Sequence, residues 1–177
     1  MKKRTLLFAL VLALALSGAA LAADYTDVPA DSWARESIDK AAEHSLMNGV
    51  GDGAFGYGQS VSREQFVTVL VRMFGWESVS GEDAAIDIAD SWARGYINTA
   101  AANGVFDVGG KFRPKDDITR REMAVMLVRA LGLGSLAKAD ANAALPFTDV
   151  GEQRGYIAIA YEIGMTTGTT ETTFEPN

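Results

Sequence analysis

Two arginines in this 177-residue chain stand where a helix begins. Ser62-Arg63-Glu64-Gln65 and Thr119-Arg120-Arg121-Glu122 each place a hydroxyl residue three positions before Gln or Glu, the spacing of a reciprocal capping box. The box makes Arg63 and Arg120 the first helical residues. A helix amino end already presents free N–H groups and the positive end of the macrodipole, so an arginine there adds like charge to like, at a cost of about 0.3–1 kcal/mol. The arrangement becomes sensible if it holds an anion, because free N–H groups and a guanidinium fork are both complementary to a carboxylate. The competing reading is an exposed arginine that reaches a neighbouring carboxylate. Recurrence of the same residue at the same cap favours the anion site.

Other chemistry-bearing patterns lead nowhere. Gly51-Asp52-Gly53-Ala54-Phe55-Gly56 has the glycine spacing of a dinucleotide loop but lacks the preceding strand that a phosphate site requires. Asp52 sits among glycines without the acidic spacing of a calcium loop. His44 is the sole histidine and has no companion motif for a triad. Glu82, Asp83, Asp87 and Asp90 read as a solvated acidic stretch between elements rather than as paired glycosidase carboxylates. No metal site, cofactor or catalytic constellation is expected.

The elements that position the arginines recur along the chain. Tyr25-Thr26-Asp27-Val28, Ile86-Asp87-Ile88 and Phe147-Thr148-Asp149-Val150 place an aspartate between apolar residues at intervals of 60 and 62. Asp31-Ser32-Trp33-Ala34-Arg35 returns as Asp90-Ser91-Trp92-Ala93-Arg94 at a shift of 59, and such self-similarity marks a repeat architecture. A third, diverged copy keeps Gly155-Tyr156-Ile157 and Gly164. Each repeat reads as two helices and a loop, giving an all-α chain. The first helix is expected to open at Asp31-Ser32 or Asp90-Ser91 as caps and to bury Trp33, Ile38, Ala41 and Ala42, or Trp92, Ile97, Ala100 and Ala101. Asn48-Gly49 and Asn103-Gly104 fit its stop. In the second helix Phe66, Val69, Leu70, Met73 and Phe74, and likewise Met123, Met126, Leu127, Ala130 and Leu131, follow a 3.6-residue period. Gly75 and Gly132 close it. Linkers are expected over 75–85 and 132–145.

The amino terminus has the order of a secretory signal: Lys2, Lys3 and Arg4, an apolar run from Leu6 to Leu16, then Ala20-Leu21-Ala22. The run is too short to span a bilayer, so residues 1–22 are expected to be removed and the remainder not to cross the membrane. Loss of three basic residues takes the net charge from −7 to −10. So acidic a chain is unsuited to binding nucleic acid through its overall field, and an anionic ligand needs a local site. There is no cysteine, which excludes disulfides and thiolate metal sites.

A hydrophobic-x-Asp-Val opening, a Trp-Ala block, a Phe-x-Pro turn and a Thr-Arg-Ala-Glu type helix start at a period near 60 resemble S-layer homology domains. The turn is Phe112-Arg113-Pro114 in repeat two and Phe174-Glu175-Pro176 in repeat three, and Phe55-Gly56-Tyr57 without proline in repeat one. The tetrapeptides depart from the pattern at Glu64 and Arg121, where alanine is usual, and at Gln65 in place of glutamate. The resemblance implies repeats over 24–76, 85–133 and 146–177, and a pseudo-threefold module of helix-loop-helix repeats around a central bundle. That module is expected to be incomplete at its carboxyl end, because the counterpart of Arg120 would fall at position 182. It also implies non-covalent attachment of an exported protein to an anionic, commonly pyruvylated, cell-wall polysaccharide or to modified peptidoglycan. By the same likeness Arg63 and Arg120 would contact the acidic sugar, with Ser62, Thr119, Gln65 and Glu122 shaping the helix starts and Asp27, Asp87, Trp33 and Trp92 as weaker contacts. The alternative is an envelope assembly protein whose repeats self-associate. On the anion-site reading, Arg63→Ala with Arg120→Ala abolishes binding to cell walls and leaves helicity, read by circular dichroism, unchanged.

Overall fold

The computed structural model describes residues 25–177, so the signal segment expected over 1–22 lies outside the described residues. Among the described residues six helices follow one another: α1 (Arg35–Glu43), α2 (Arg63–Phe74), α3 (Arg94–Ala102), α4 (Arg120–Ala130), α5 (Gly134–Ala139) and α6 (Arg154–Glu162). Among the described residues the only β pairing is two isolated bridges, Gly51 with Ala54 and Ser62 with Asp117. The chain is all-α, as its periodicity implies. None of these helices is long and apolar enough to cross a membrane.

The first helices start later than the Asp-Ser pairs suggest. The hydroxyls of Ser32 and Ser91 accept the N–H groups of Ala34 and Ala93 at 3.2 and 3.1 Å, closing a turn two residues on in the manner of serine turns. Only after it does the helix begin, at Arg35 or Arg94 and without a side-chain cap. Because Trp33 and Trp92 fall in that turn, they do not join the apolar face: they are 89% and 61% exposed. Ile38, Ile97 and Ala100 are buried as expected, Ala41 and Ala42 only partly. α1 also ends early, at Glu43, with Ser45 at positive φ turning the chain before Asn48-Gly49 is reached.

The buried stripe of each second helix is rotated by about one position from the sequence reading. α2 buries Val67, Leu70 and Val71, while Met73 is exposed. α4 buries Ala124, Val125, Met126 and Val128, while Leu131 is exposed. For α4 the reason is packing on two sides. Val67, Leu70 and Val71 pack with Ile88, Ile97 and Val105 in a cluster that also takes Met126 of α4. Ala124, Val125 and Val128 of the same α4 belong to a second cluster with Ile157, Ala160 and Phe174. A helix wedged between two cores has no single apolar stripe to read. Each buried aliphatic side chain contributes about 1.5–3 kcal/mol.

The chain divides into two compact units, one ending at Tyr57 and one running from Gly58 to Asn177. In the first, Tyr25, Val28 and Ile38 form a small core flanked by Phe55. In the second, α2 packs on α3 and α4 on α6, so the second helix of one repeat is completed by the first helix of the next. α2 and α4 also touch one another. Residues 132–145 are not a bare linker: they carry α5, whose Ala137 is buried against α4 and α6. α5 approaches α6 so closely that a Cβ on Gly155 would lie 2.0 Å from the Ala137 carbonyl oxygen, which explains a glycine inside a helix.

Each repeat is closed by its aspartate. Asp27 accepts the N–H groups of Phe55, Gly56 and Tyr57 at 2.7–2.9 Å. Asp87 accepts those of Phe112 and Arg113 at 2.7 and 2.9 Å, and Asp149 those of Phe174 and Glu175 at 2.8 Å. The residue after each phenylalanine, Gly56, Arg113 or Glu175, has positive φ, an unfavourable conformation for the latter two that the clasp offsets. The Phe55 N–H is the main influence lowering the Asp27 pKa, and at Asp149 the Glu175 and Phe174 N–H groups act alike. At Asp87 burial is the largest influence and raises the pKa, but the Phe112 and Arg113 N–H groups outweigh it. Folded-state pKa values below the usual aspartate value of about 3.9 stabilise the fold fully above that value, and the contribution is lost as pH falls through the depressed values. The melting temperature is therefore expected to be flat near neutrality and to fall below about pH 4. Asp87→Asn should lower it at pH 7 and shallow the acid limb, both read by circular dichroism.

Candidate functional site

Both capping boxes form. Ser62 Oγ accepts the Gln65 N–H at 3.3 Å and Gln65 Oε1 accepts the Ser62 N–H at 2.8 Å. Thr119 and Glu122 make the same exchange at 3.2 and 3.0 Å. The cap of α2 is then sealed from outside. The Arg63 N–H donates to the Asp116 carbonyl and the Glu64 N–H to the Pro114 carbonyl, each at 2.9 Å. All four N–H groups that an α-helix leaves free at its start are thereby spent within the protein. At α4 the Arg121 N–H is likewise taken, by the Pro176 carbonyl at 3.0 Å. The expected open anion site at the α2 amino end is not there, because the turn of the next repeat already supplies the acceptors.

The arginine side chains follow the same logic. Arg63 is 7% exposed. Its Nε donates to the Phe112 carbonyl at 2.6 Å, its Nη1 meets Glu122 Oε1 at 2.6 Å, and its guanidinium carbon lies 4.9 Å from the centre of the Phe112 ring. Arg120 repeats this one module on: Nε to the Phe174 carbonyl at 2.8 Å, Nη2 to the Thr167 carbonyl at 2.7 Å, and the Phe174 ring at 4.7 Å. Hydrogen bond and cation–π contact act on one residue together. Burial is the main influence on Arg63 and lowers its pKa, with the Glu122 carboxylate opposing. Burial tends to raise the Glu122 pKa, but the Thr119 N–H, Arg63 and Arg113 outweigh it and hold it low. Arg113 adds a second contact to Glu122 Oε1 at 2.5 Å. Arg121 reaches the Asn177 side-chain oxygen.

The structure thus brings Ser62, Arg63, Thr119 and Glu122 together through the Ser62–Asp117 bridge and the Arg63–Glu122 ion pair. Arg120 engages the next turn instead. Asp27 and Asp87 lie in the clasps, and Gln65 is exposed at its cap. Trp92 is placed by a residue that motif reasoning passed over. Glu64 is 6% exposed, accepts the Ser91 hydroxyl at 2.5 Å and accepts the Trp92 indole N–H at 2.8 Å. Its signal in the sequence was its departure from the alanine usual in the tetrapeptide; the partners 27 and 28 residues away left no local trace. Trp33, in the other compact unit, has the same turn, with the Ser32 hydroxyl donating to the Tyr57 hydroxyl at 3.0 Å.

A helical repeat module whose units interlock through arginine–phenylalanine joints is what the fold and these contacts define. The S-layer homology domain model matches residues 24–67 and 86–124, and over those segments the chain belongs to that family. Relatives agree with it. A cell surface protein of Thermoanaerobacter kivui is 32% identical over 169 residues, 91% of this chain and 20% of that protein. An S-layer protein of Bacillus thuringiensis subsp. finitimus is 30% identical over 167 residues, 89% of this chain and 20% of that protein. A cellulosome-anchoring protein of Acetivibrio thermocellus is 32% identical over 133 residues, 71% of this chain and 29% of that protein. The chain therefore spans less than a third of the length of each.

Truncating Arg63 removes a buried ion pair and a charge-assisted hydrogen bond together. Arg63→Ala is expected to destabilise the second compact unit by about 2–3 kcal/mol, measured by urea unfolding. The unchanged helicity expected from sequence alone gives way here to a lowered unfolding midpoint.

Proposed function

We propose that this chain is a non-catalytic anchoring module that holds an exported protein at the cell surface by binding an anionic, pyruvylated cell-wall polysaccharide without a covalent bond. The reading rests on one observation above the others. Trp33 and Trp92 hold the same position in two repeats and are left exposed, although an indole is the side chain a small core would most gain by burying. A tryptophan kept exposed at the same position of two repeats suits a binding surface, where large amphipathic aromatics are enriched. The Trp92 ring is held in place by its hydrogen bond to Glu64, so it loses little freedom on meeting a sugar face. The family match and the cell surface, S-layer and cellulosome-anchoring names of the relatives support the same assignment.

In this proposal the two tryptophans contact the glycan. Arg63 and Arg120 act as positioning residues: together with the caps Ser62, Thr119, Gln65 and Glu122 and the clasps of Asp27 and Asp87, they fix the turns beside them. The test is co-sedimentation of residues 23–177 with purified walls that retain, or have been stripped of, their acidic secondary polymer. Binding to intact walls only is expected, and Trp33→Ala with Trp92→Ala should weaken it about tenfold or more with unchanged circular dichroism. Equal binding to stripped walls overturns the proposal, as does concentration-dependent self-association without wall affinity, which is the signature of an assembly protein.

A further inference from the structure

About nine residues along α4 from its arginine cap, some 13 Å at 1.5 Å per residue, lies a separate polar cleft of about 310 Å³, at the small end of the range of ligand sites. It is framed by Asn103 at the end of α3, Asp107 in the loop that follows, Arg129 in the last turn of α4, Ser135 and Lys138 of α5, and Tyr156 in the first turn of α6. None of these residues is used by the joints, clasps or tryptophan turns. Tyr156 is 5% exposed, and its buried hydroxyl has no hydrogen-bond partner of normal geometry. Its oxygen interacts with the Arg129 guanidinium, which leaves the hydroxyl's own hydrogen available to a ligand's acceptor.

The charges are unequal. Arg129 is drawn to Asp107, Nη2 to Oδ2 at 3.2 Å, and its guanidinium carbon lies 5.8 Å from the Tyr156 ring centre. Burial is the largest influence on Arg129 and lowers its pKa, but Asp107 and the Tyr156 hydroxyl outweigh it and raise it. One cation is therefore matched by one carboxylate. Lys138 makes no ion pair among the described residues, so the cleft keeps one uncompensated positive charge on a chain of net charge −7. Around it stand the neutral groups that recognise hydroxyls: the Ser135 hydroxyl, the Tyr156 hydroxyl, and the Asn103 amide, whose Nδ2 spends one N–H on the Thr99 carbonyl at 2.9 Å and keeps its oxygen free to accept.

We infer that this cleft is a subsite for a single acidic sugar unit, with Lys138 pairing its carboxylate and Tyr156, Ser135 and Asn103 reading its hydroxyls. The identification of the ligand as part of a wall polymer rests on the anchoring proposal above; the cleft's own affinity does not. The test is an amide NMR titration of the full chain with glucuronate, glucose and acetate in parallel. Glucuronate should perturb Asn103, Ser135, Lys138 and Tyr156 at lower concentration than either other probe. Lys138→Ala should weaken it about tenfold, and Tyr156→Phe, which keeps the packed ring, about threefold to tenfold.

Glucose binding as well as glucuronate would overturn the charge assignment, acetate binding as well would overturn the sugar assignment, and unchanged affinity in either variant would overturn the site. The two proposals fail separately. A chain that binds walls through Trp33 and Trp92 but shows no cleft perturbation keeps the anchor and loses the subsite. A chain that fails on walls but shows the glucuronate perturbation keeps the subsite.

Discussion

The guanidinium of Arg63 crosses from the second helix of one repeat to the turn of the next, and both its neighbours are arranged around it. Its Nε needs a carbonyl, and the Asp87 clasp presents the Phe112 carbonyl by fixing the turn from the other side. Its charge needs a carboxylate, and Glu122 supplies one from a capping box that the same residue completes. An arginine this buried persists only when its charge and hydrogen-bond donors are met. The joint therefore holds only if the cap, the clasp and the turn all form. Arg120, Phe174 and Asp149 build a second joint on the same plan, with the Thr167 carbonyl in place of the carboxylate.

This interlocking explains why the packing does not respect the sequence repeat. α2 lies in the first repeat by its residues but packs on α3 of the second, and α4 closes on α6 of the third. α4 belongs to both cores of the larger compact unit, giving Met126 to one and Val125 and Val128 to the other. A substitution such as Val128→Ala leaves a cavity on one side, at a cost of roughly 1–3 kcal/mol, and loosens a helix whose other face serves the first cluster through Met126.

The local features were legible in the sequence because their causes are local. Both capping boxes, the terminal glycines of the second helices, the repeat and the all-helical class follow from spacing over a few residues. The features that were not legible depend on contacts across roughly 25 to 55 residues. The role of Asp87 is set by a turn 25 residues later, that of Arg63 by a carbonyl 49 residues later, and the burial of Glu64 by Ser91 and Trp92. The tryptophans read as core residues because apolar area favours burial; only the serine turn that moves them off the helix face puts them at the surface. α5 was passed over because six residues are too few to show a period.

A helix that must be finished by its successor bears on how such chains grow by gene duplication. Each additional copy inserted in register brings an arginine seeking a turn and a turn offering a carbonyl, so the new seams repeat the old one and need no fresh complementarity. The joint is a heterologous, head-to-tail contact within one polypeptide, the kind of interface that propagates rather than self-complements. A recombination break between Tyr57 and Gly58, where the compact units part, leaves α2 with α3. A break at Gly75, where the sequence repeat ends, separates them and exposes Val67, Leu70 and Val71 to water.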